Sequence, residues 1–380
     1  MKIVTVIGAR PQIIKAAAIS RAINTHFKDQ ITEILVHTGQ HYDHNMSANF
    51  FTELGIPTAN YNLSVGSSNH GTQTAKMIEG IESVLIKEMP DALLVYGDTN
   101  STLAGALAAT KIHIPVVHIE AGLRSYNKAM PEEINRITCD HCSTLLFSPT
   151  NQGIENLKKE GFSMAIHPKA HIDRPLVFKT GDIMYDNSLY FSSIANENNR
   201  LLKQLNLTPN SFILCTIHRD SNTDNPDALN QIIRGILEIQ RISNQTIVLP
   251  LHPRTRKKMT ELLEADVVEE LQKNPGIQVI DPAGFLDMIS LESNCSLVIT
   301  DSGGVQKEAF FFKKPCIILR DQTEWVELVE NGNALLVGSN EGKLIEAFHQ
   351  LSHKNDFTYP PFFGDGHAAE EICRLMIEHI

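Results

Sequence analysis

The chain has 380 residues, 42% of them hydrophobic, enough apolar material for a large core and, at this length, for two domains. Asp plus Glu exceed Lys plus Arg by 44 to 33, and the formal charge of −11 argues against a generic nucleic-acid or anionic-membrane surface. An anionic ligand would need arginines placed locally, and six cysteines without dense or regular spacing suit a reducing compartment rather than a disulfide framework.

Met1 to Gly8 reads as a buried first strand, too short and too soon broken by Gly8-Ala9-Arg10-Pro11 to be a signal peptide. No run reaches the ~20 apolar residues of a bilayer-crossing helix, and a soluble cytoplasmic protein is expected. Short β-rich runs at Ile3 to Ile7, Glu33 to Val36, Ala92 to Tyr96, Pro115 to Ile119 and Thr144 to Phe147 alternate with helical stretches such as Thr72 to Lys87 and Thr102 to Ile112. After the Pro- and His-containing stretch His167 to Pro175 the alternation restarts, at Phe212 to Thr216, Thr246 to Leu249, Gln278 to Ile280, Leu297 to Ile299 and Cys316 to Leu319. This pattern predicts βαβ units and an α/β fold of two doubly wound halves with a boundary near 165 to 182. Ligands of such sheets bind outside the carboxyl ends of the strands, here in an interdomain cleft. Gly366 to Ile380, after a Pro360-Pro361 break, reads as one amphipathic helix.

Chemistry-bearing residues follow the strands. Gly8-Ala9-Arg10-Pro11-Gln12 ends the first, with Lys15 one turn into the next helix; Gly97-Asp98-Thr99-Asn100 and His118-Ile119-Glu120-Ala121-Gly122-Leu123-Arg124 end two more, and Pro131-Glu132-Glu133-Ile134-Asn135-Arg136 opens a helix. In the second half, Thr216-Ile217-His218-Arg219, Leu251-His252-Pro253-Arg254 and Leu319-Arg320-Asp321-Gln322-Thr323-Glu324 do the same. Thr300-Asp301-Ser302-Gly303-Gly304-Val305-Gln306-Lys307-Glu308 is a strand, a glycine turn and a helix start. Its adjacent glycines admit close backbone approach, and the helix N-terminus favours an anion. Each feature has a plain structural alternative: Asp98 as a helix cap, Glu132 as a first-turn dipole partner, Arg136 in a solvated i, i+4 pair with Glu132. Taken together, one half offers proton-transfer carboxylates and the other diphosphate ligands. Cys139 and Cys142 form a lone CxxC that reads as small apolar side chains, and His37, His41 and His44 lack the companion ligands of a metal site.

These motifs, in order and through nearly the whole chain, resemble the non-hydrolysing UDP-N-acetylglucosamine 2-epimerase family, Gln40-His41 and Arg320-Asp321 included. The resemblance implies a glycosyltransferase-B type fold of two Rossmann-like domains, residues 1–170 with the returning helix 366–380 and residues 176–360. It implies inversion at C2 of a UDP-linked 2-acetamido sugar, by anti elimination of UDP to a glycal and re-addition. By the same resemblance Asp98, Glu120 and Glu132 are acid/base carboxylates, and His218 is a further catalytic or phosphate-contacting group. Arg10, Ser302, Gly303, Gly304 and Arg320 hold the diphosphate, Lys15 and Arg136 support the site, and Glu308 binds the ribose. The route needs no nicotinamide, no metal and no other cofactor; a homodimer serving cell-envelope or polysaccharide precursor supply is implied, without nucleic-acid or membrane partners.

The sequence departs from the family where His218-Arg219-Asp220-Ser221-Asn222 carries Ser221 in place of a usual Glu, at Gly181-Asp182-Ile183-Met184-Tyr185-Asp186, and at Tyr42-Asp43-His44-Asn45-Met46, the border of a regulatory UDP-sugar site in bacterial members. Asp321-Gln322-Thr323-Glu324-Trp325-Val326-Glu327 with Gly181-Asp182 resembles the subgroup acting on UDP-2,3-diacetamido-2,3-dideoxyglucuronate, which stays open as the alternative substrate. A UDP-sugar glycosyltransferase of the same fold, a hydrolysing 2-epimerase and a non-catalytic UDP-sugar sensor are the rival classes. The carboxylate set argues against transfer and against a sensor.

Overall fold

The computed structural model describes residues 1–39, 55–198 and 200–380; His41 and His44 lie outside them. Among the described residues, seven strands form the first sheet: β1 (Lys2–Ile7), β2 (Thr32–His37), β3 (Tyr61–Asn62), β4 (Ala92–Tyr96), β5 (Val116–Ile119), β6 (Leu145–Ser148) and β7 (Leu176–Lys179). They are ordered β3-β2-β1-β4-β5-β6-β7, and every adjacent pair is parallel. Central strands such as β4, Ala-Leu-Leu-Val-Tyr, are buried at every position, as expected of a parallel sheet covered by helices on both faces. The second sheet holds β8 (Phe212–Thr216), β9 (Thr246–Pro250), β10 (Ile277–Ile280), β11 (Leu297–Thr300), β12 (Cys316–Ile318) and β13 (Ala334–Leu336), ordered β10-β9-β8-β11-β12-β13 and again all parallel.

Each order reverses once, between β1 and β4 and between β8 and β11. At such a reversal the following connections run to opposite faces and leave a crevice at the strand ends. The turns beginning at Gly8, Gly97, Ile217 and Asp301 therefore open at the two positions where the topology makes room for a ligand.

Local sequence explains how the helices seat there. Asn100–Lys111 starts on Thr99, whose hydroxyl accepts the Thr102 amide. Its small residues Ala104, Gly105, Ala106, Ala108 and Ala109 let it lie close on the sheet, where a Cβ on Gly105 would come within 2.9 Å of Val95 Cγ1. Pro131–Cys142 starts at a proline whose fixed φ suits the first turn. The chain forms two compact units, Met1–Asn187 with Pro361–Ile380, and Ser188–Pro360. The first buries an apolar cluster that includes Val6, Val36, Ile81, Leu93 and Val95, and the second one that includes Ile213, Ile232, Leu249 and Ile299. The terminal helix Ala368–His379 packs on Arg10–Ala22 within the first unit.

Three strands depart from the sequence reading. β3 and β13 have only two and three residues, too short to show a period, and are held by register against β2 and β12. β7 lies among residues read with the second half, yet pairs with β6 and completes the first sheet.

Candidate active site

In the first unit, the turn after β4 carries Asp98 and the turn after β5 carries Glu120. Gly97 has φ +62, Glu120 φ +75 and Gly122 φ +82, left-handed backbone that costs a non-glycine residue such as Glu120 about 1–2 kcal/mol. A Cβ on Gly97 would lie 3.1 Å from both Glu120 Oε2 and Lys15 Nζ, so glycine leaves room for that pair. Lys15 donates to Glu120 and Arg136 to Asp98, each at short range, and Arg136 Nη1 also donates to Glu133 Oε2 at 3.0 Å. The Asp98 carbonyl accepts from Asn135 Nδ2 at 2.9 Å.

Burial pushes the Asp98 carboxyl above the ordinary aspartate value; Arg136 and Lys15 pull the other way, while Glu120 and Glu132 add to the rise. The Arg136 cation, disfavoured by burial, is held above its ordinary value by Asp98 and Glu133. Four of the residues expected in the site, Lys15, Glu120, Glu132 and Arg136, thus stand within electrostatic reach of a fifth, Asp98. Arg10 opens its helix at the end of β1 and is exposed.

Beneath these turns is a buried network. His118 Nδ1 lies 2.7 Å from Asp140 Oδ1 and its Nε2 2.9 Å from the Gly97 carbonyl. Asp140 also accepts the Gly122 amide at 3.1 Å and Arg124 Nη2 at 2.7 Å, and Arg124 forks onto Glu160 at 2.7 and 2.6 Å. Burial works against a charged His118, but Cys139 and Asp140 beside it raise its pKa well above the ordinary value. Asp140 is correspondingly lowered, as His118 and Arg124 outweigh its burial.

In the second unit, fully buried Asp301 organises the end of β8. It accepts the His218 amide at 3.0 Å, the Arg219 amide at 3.0 Å and Asn222 Nδ2 at 3.1 Å, and its Oδ1 stands 3.1 Å from His218 Nδ1. Burial would raise its pKa; the His218 ring and these amides hold it lower. The His218 side chain is half exposed. Helix Gly303–Phe311 begins on Ser302, whose amide donates to Thr300 Oγ1 at 2.9 Å. Arg320 forks onto Glu324 at 2.9 and 3.1 Å. A methyl group on Gly303 would sit 3.7 Å from Glu324 Oε2, 3.8 Å from Trp325 Nε1 and 3.9 Å from Arg320 Nη1. One on Gly304 would be 3.9 Å from Glu308 Oε2. Lys307 lies over the Trp325 ring, 4.3 Å from its centroid. Next to Glu308, buried Glu292 is pushed well above the ordinary glutamate value, first by burial and then by that neighbour.

The candidate residues therefore divide: Arg10, Lys15, Asp98, Glu120, Glu132 and Arg136 belong to the first unit, and His218, Ser302, Gly303, Gly304, Glu308 and Arg320 to the second. The solvated Glu132–Arg136 pair is not formed; Arg136 turns to Glu133 and Asp98. Sequence reasoning passed over Glu133, Asn135, Asp140, Asp301 and Glu324 as separate site residues. Glu133 carried a signal, its i, i+3 spacing to Arg136. The partners of Asp140 and Asp301 come largely from other strand ends, which no local pattern reveals. Among the described residues, no group of three His, Cys, Asp or Glu is placed to hold a metal ion, and no helix is long and apolar enough to cross a membrane.

Two doubly wound sheets, with charged groups at one reversal and a Ser-Gly-Gly helix start at the other, put the chain in the class of α/β proteins built from two Rossmann-like halves. Residues 24–377 match the family described as UDP-N-acetylglucosamine 2-epimerase. The chain is 48% identical over 376 residues to UDP-2,3-diacetamido-2,3-dideoxy-D-glucuronate 2-epimerase of Pseudomonas aeruginosa, with 99% of each chain covered. It is 46% identical over 377 residues to a UDP-N-acetylglucosamine 2-epimerase homolog of Methanococcus maripaludis, again with 99% of each covered. The crystal structure of Methanocaldococcus jannaschii UDP-GlcNAc 2-epimerase in complex with UDP-GlcNAc and UDP superposes with a TM-score of 0.84, at 43% identity and 99% coverage of both chains. The chain belongs to the UDP-N-acetylglucosamine 2-epimerase family, and its fold is that family's pair of Rossmann-like domains.

Proposed function

We propose that the chain interconverts UDP-N-acetylglucosamine and UDP-N-acetylmannosamine without hydrolysis. A carboxylate removes the C2 proton while the C1–O bond breaks and UDP leaves with the electron pair, giving a 2-acetamidoglucal. UDP then re-adds at C1 and a proton returns to the opposite face of C2. The C2 proton is not next to a carbonyl, so its removal depends on stabilising the leaving diphosphate. Arg10, Arg320 and the Ser302-Gly303-Gly304 helix start serve that end, with His218 as a further catalytic or phosphate-contacting group and Glu308 on the ribose hydroxyls. Asp98, Glu120 and Glu132 serve the proton transfers, supported by Lys15 and Arg136.

The observation that carries the reading is Asp98: a partly buried carboxyl whose raised pKa lets it hold a proton closer to neutral pH, among two further carboxylates and two cations. UDP-2,3-diacetamido-2,3-dideoxyglucuronate is the second reading of the substrate. The Asp321-Gln322-Thr323-Glu324-Trp325-Val326-Glu327 segment after β12 and the 48% identity to the Pseudomonas aeruginosa enzyme of that name support it. Family membership supports a homodimer supplying cell-envelope or polysaccharide precursors in the cytoplasm, with no cofactor.

The test is incubation with each UDP-sugar in deuterated water, followed by NMR. Deuterium at C2 of an intact UDP-sugar is expected, and the sugar that exchanges fixes the substrate. No exchange with either sugar sinks the proposal, and free sugar accumulating one-for-one with UDP points to hydrolysis instead.

A further inference from the structure

His118 has no exposed surface, and both ring nitrogens are engaged by acceptors: the Asp140 carboxylate at 2.7 Å and the Gly97 carbonyl at 2.9 Å. A carbonyl oxygen can only accept. The Asp140 carboxylate, already taking the Gly122 amide and Arg124, can only accept as well. A ring that donates from both nitrogens is the imidazolium. The charge is balanced in place, His118 and Arg124 against Asp140 and Glu160, with Cys139 beside His118 and His141 Nε2 3.6 Å from Glu160 Oε2 as further titratable neighbours.

What this pair holds is backbone. The Gly97 amide donates to Ile119 O at 3.0 Å while its carbonyl receives His118, so the peptide leading into Asp98 is gripped on both sides. The Glu120 and Ala121 amides both donate to Phe147 O at 3.0 Å, and the Gly122 amide is taken by Asp140. Three consecutive residues of the Glu120 turn are thereby fixed, including Glu120 at φ +75.

We propose that His118, held as a buried imidazolium by Asp140, is a positioning residue for the reaction: through the Gly97 carbonyl it sets Asp98, and through Asp140 and the Gly122 amide it sets the Glu120 turn. One ion pair thus places two of the proton-transfer carboxylates relative to each other. The inference rests on the reading of Asp98 and Glu120 as acid/base groups.

Full-length His118→Gln, Asp140→Asn and the double variant test it, each read by C2 deuterium exchange, KM, pH profile and UDP-dependent thermal shift. The double variant pairs two neutral amides: the one introduced at position 118 can donate to the Gly97 carbonyl, and the one at position 140 can donate to its new neighbour. Each single change is expected to lower kcat on the order of 100-fold, the cost of a displaced reacting group, with KM changed less than about threefold, the UDP shift kept and the pH profile displaced. The double variant is expected to recover at least tenfold of the loss. Single variants with wild-type kcat and pH profile, or a double variant as impaired as the product of the singles, overturn the proposal. Asp98→Asn and Glu120→Gln run beside them: if those retain exchange, the acid/base reading has failed instead. Should the His118 variants not fold, histidine ¹⁵N spectra of the wild-type protein decide it, since His118 must still show two N–H groups above the pH at which an ordinary imidazole loses its proton, and a neutral tautomer there refutes the imidazolium.

Discussion

Glu132 and Glu133 stand side by side at the start of one helix and have opposite fates. Glu133 is 1% exposed and accepts the Ser125 amide at 2.9 Å, the Tyr126 amide at 2.8 Å and Arg136 at 3.0 Å. Those amides, with Arg136, outweigh its burial and hold its pKa below the ordinary value. Glu132 is exposed and has Asp98 within electrostatic reach. Removing Glu133 leaves two amides and Nη1 of Arg136 without the acceptor they share, while Nη2 of Arg136 keeps Asp98. Glu133→Ala is expected to lower unfolding free energy by about 3 kcal/mol in urea titrations. Glu132→Gln is expected to change stability by less than ~0.5 kcal/mol and to abolish C2 exchange. A Glu133→Ala protein as stable as wild type, or a Glu132→Gln protein that still exchanges, contradicts the division. The sequence displays both glutamates equally; only the loop Ser125-Tyr126, folded back over the helix start, separates the structural one from the candidate acid/base group.

At the scale of elements, the long buried strands are written plainly in the chain, because a fully apolar run between turn residues has few other uses. The reading of Ala92 to Tyr96 and Phe212 to Thr216 matches β4 and β8 end to end. β3, β7 and β13 were not legible, since they owe their existence to a neighbour already in place rather than to their own pattern. The terminal helix shows a related dependence. Its first amides, Ala368 at 3.2 Å and Ala369 at 2.7 Å, donate to Asp186, a carboxylate 182 residues away from Ala368 whose capping role has no local signature. Burial pushes Asp186 up to about 6, against the two amides and Arg21, with Asp182 adding to the rise. A carboxyl raised in the folded state binds its proton more tightly there than in the unfolded chain. Its stabilising contribution is therefore full below about pH 4 and is lost as pH rises through about 6, by up to ~3 kcal/mol. Asp186→Asn removes this titration. Urea midpoints at pH 4.5 and 7.5 are expected to show wild type losing about 2 kcal/mol relative to the variant across that interval. A difference that does not change with pH excludes Asp186 as the titrating group.

For the whole molecule, the proposed proton-transfer carboxylates lie in one unit and the proposed diphosphate ligands, Arg10 apart, in the other, each unit with its own sheet and core, so binding and proton transfer are expected to be separable by mutation. Gly303 tests the binding side cleanly. Its backbone is not in the left-handed region, and an added methyl group meets only ordinary contacts of 3.7 to 3.9 Å from Glu324, Trp325 and Arg320. Neither strain nor crowding in the protein demands glycine there, and what remains is close approach of a ligand to the helix N-terminus. Gly303→Ala is therefore expected to unfold at the wild-type temperature without ligand and to lose most of the upward shift that UDP produces, which at a hundredfold excess over Kd corresponds to about 2.7 kcal/mol in wild type. Asp98→Asn, in the other unit, is expected to keep that shift and lose C2 exchange by more than about a thousandfold. If Gly303→Ala retains the full UDP shift, the Ser-Gly-Gly turn is not the diphosphate cradle. If Asp98→Asn loses the shift while exchange persists, the two units have been assigned the wrong halves of the reaction.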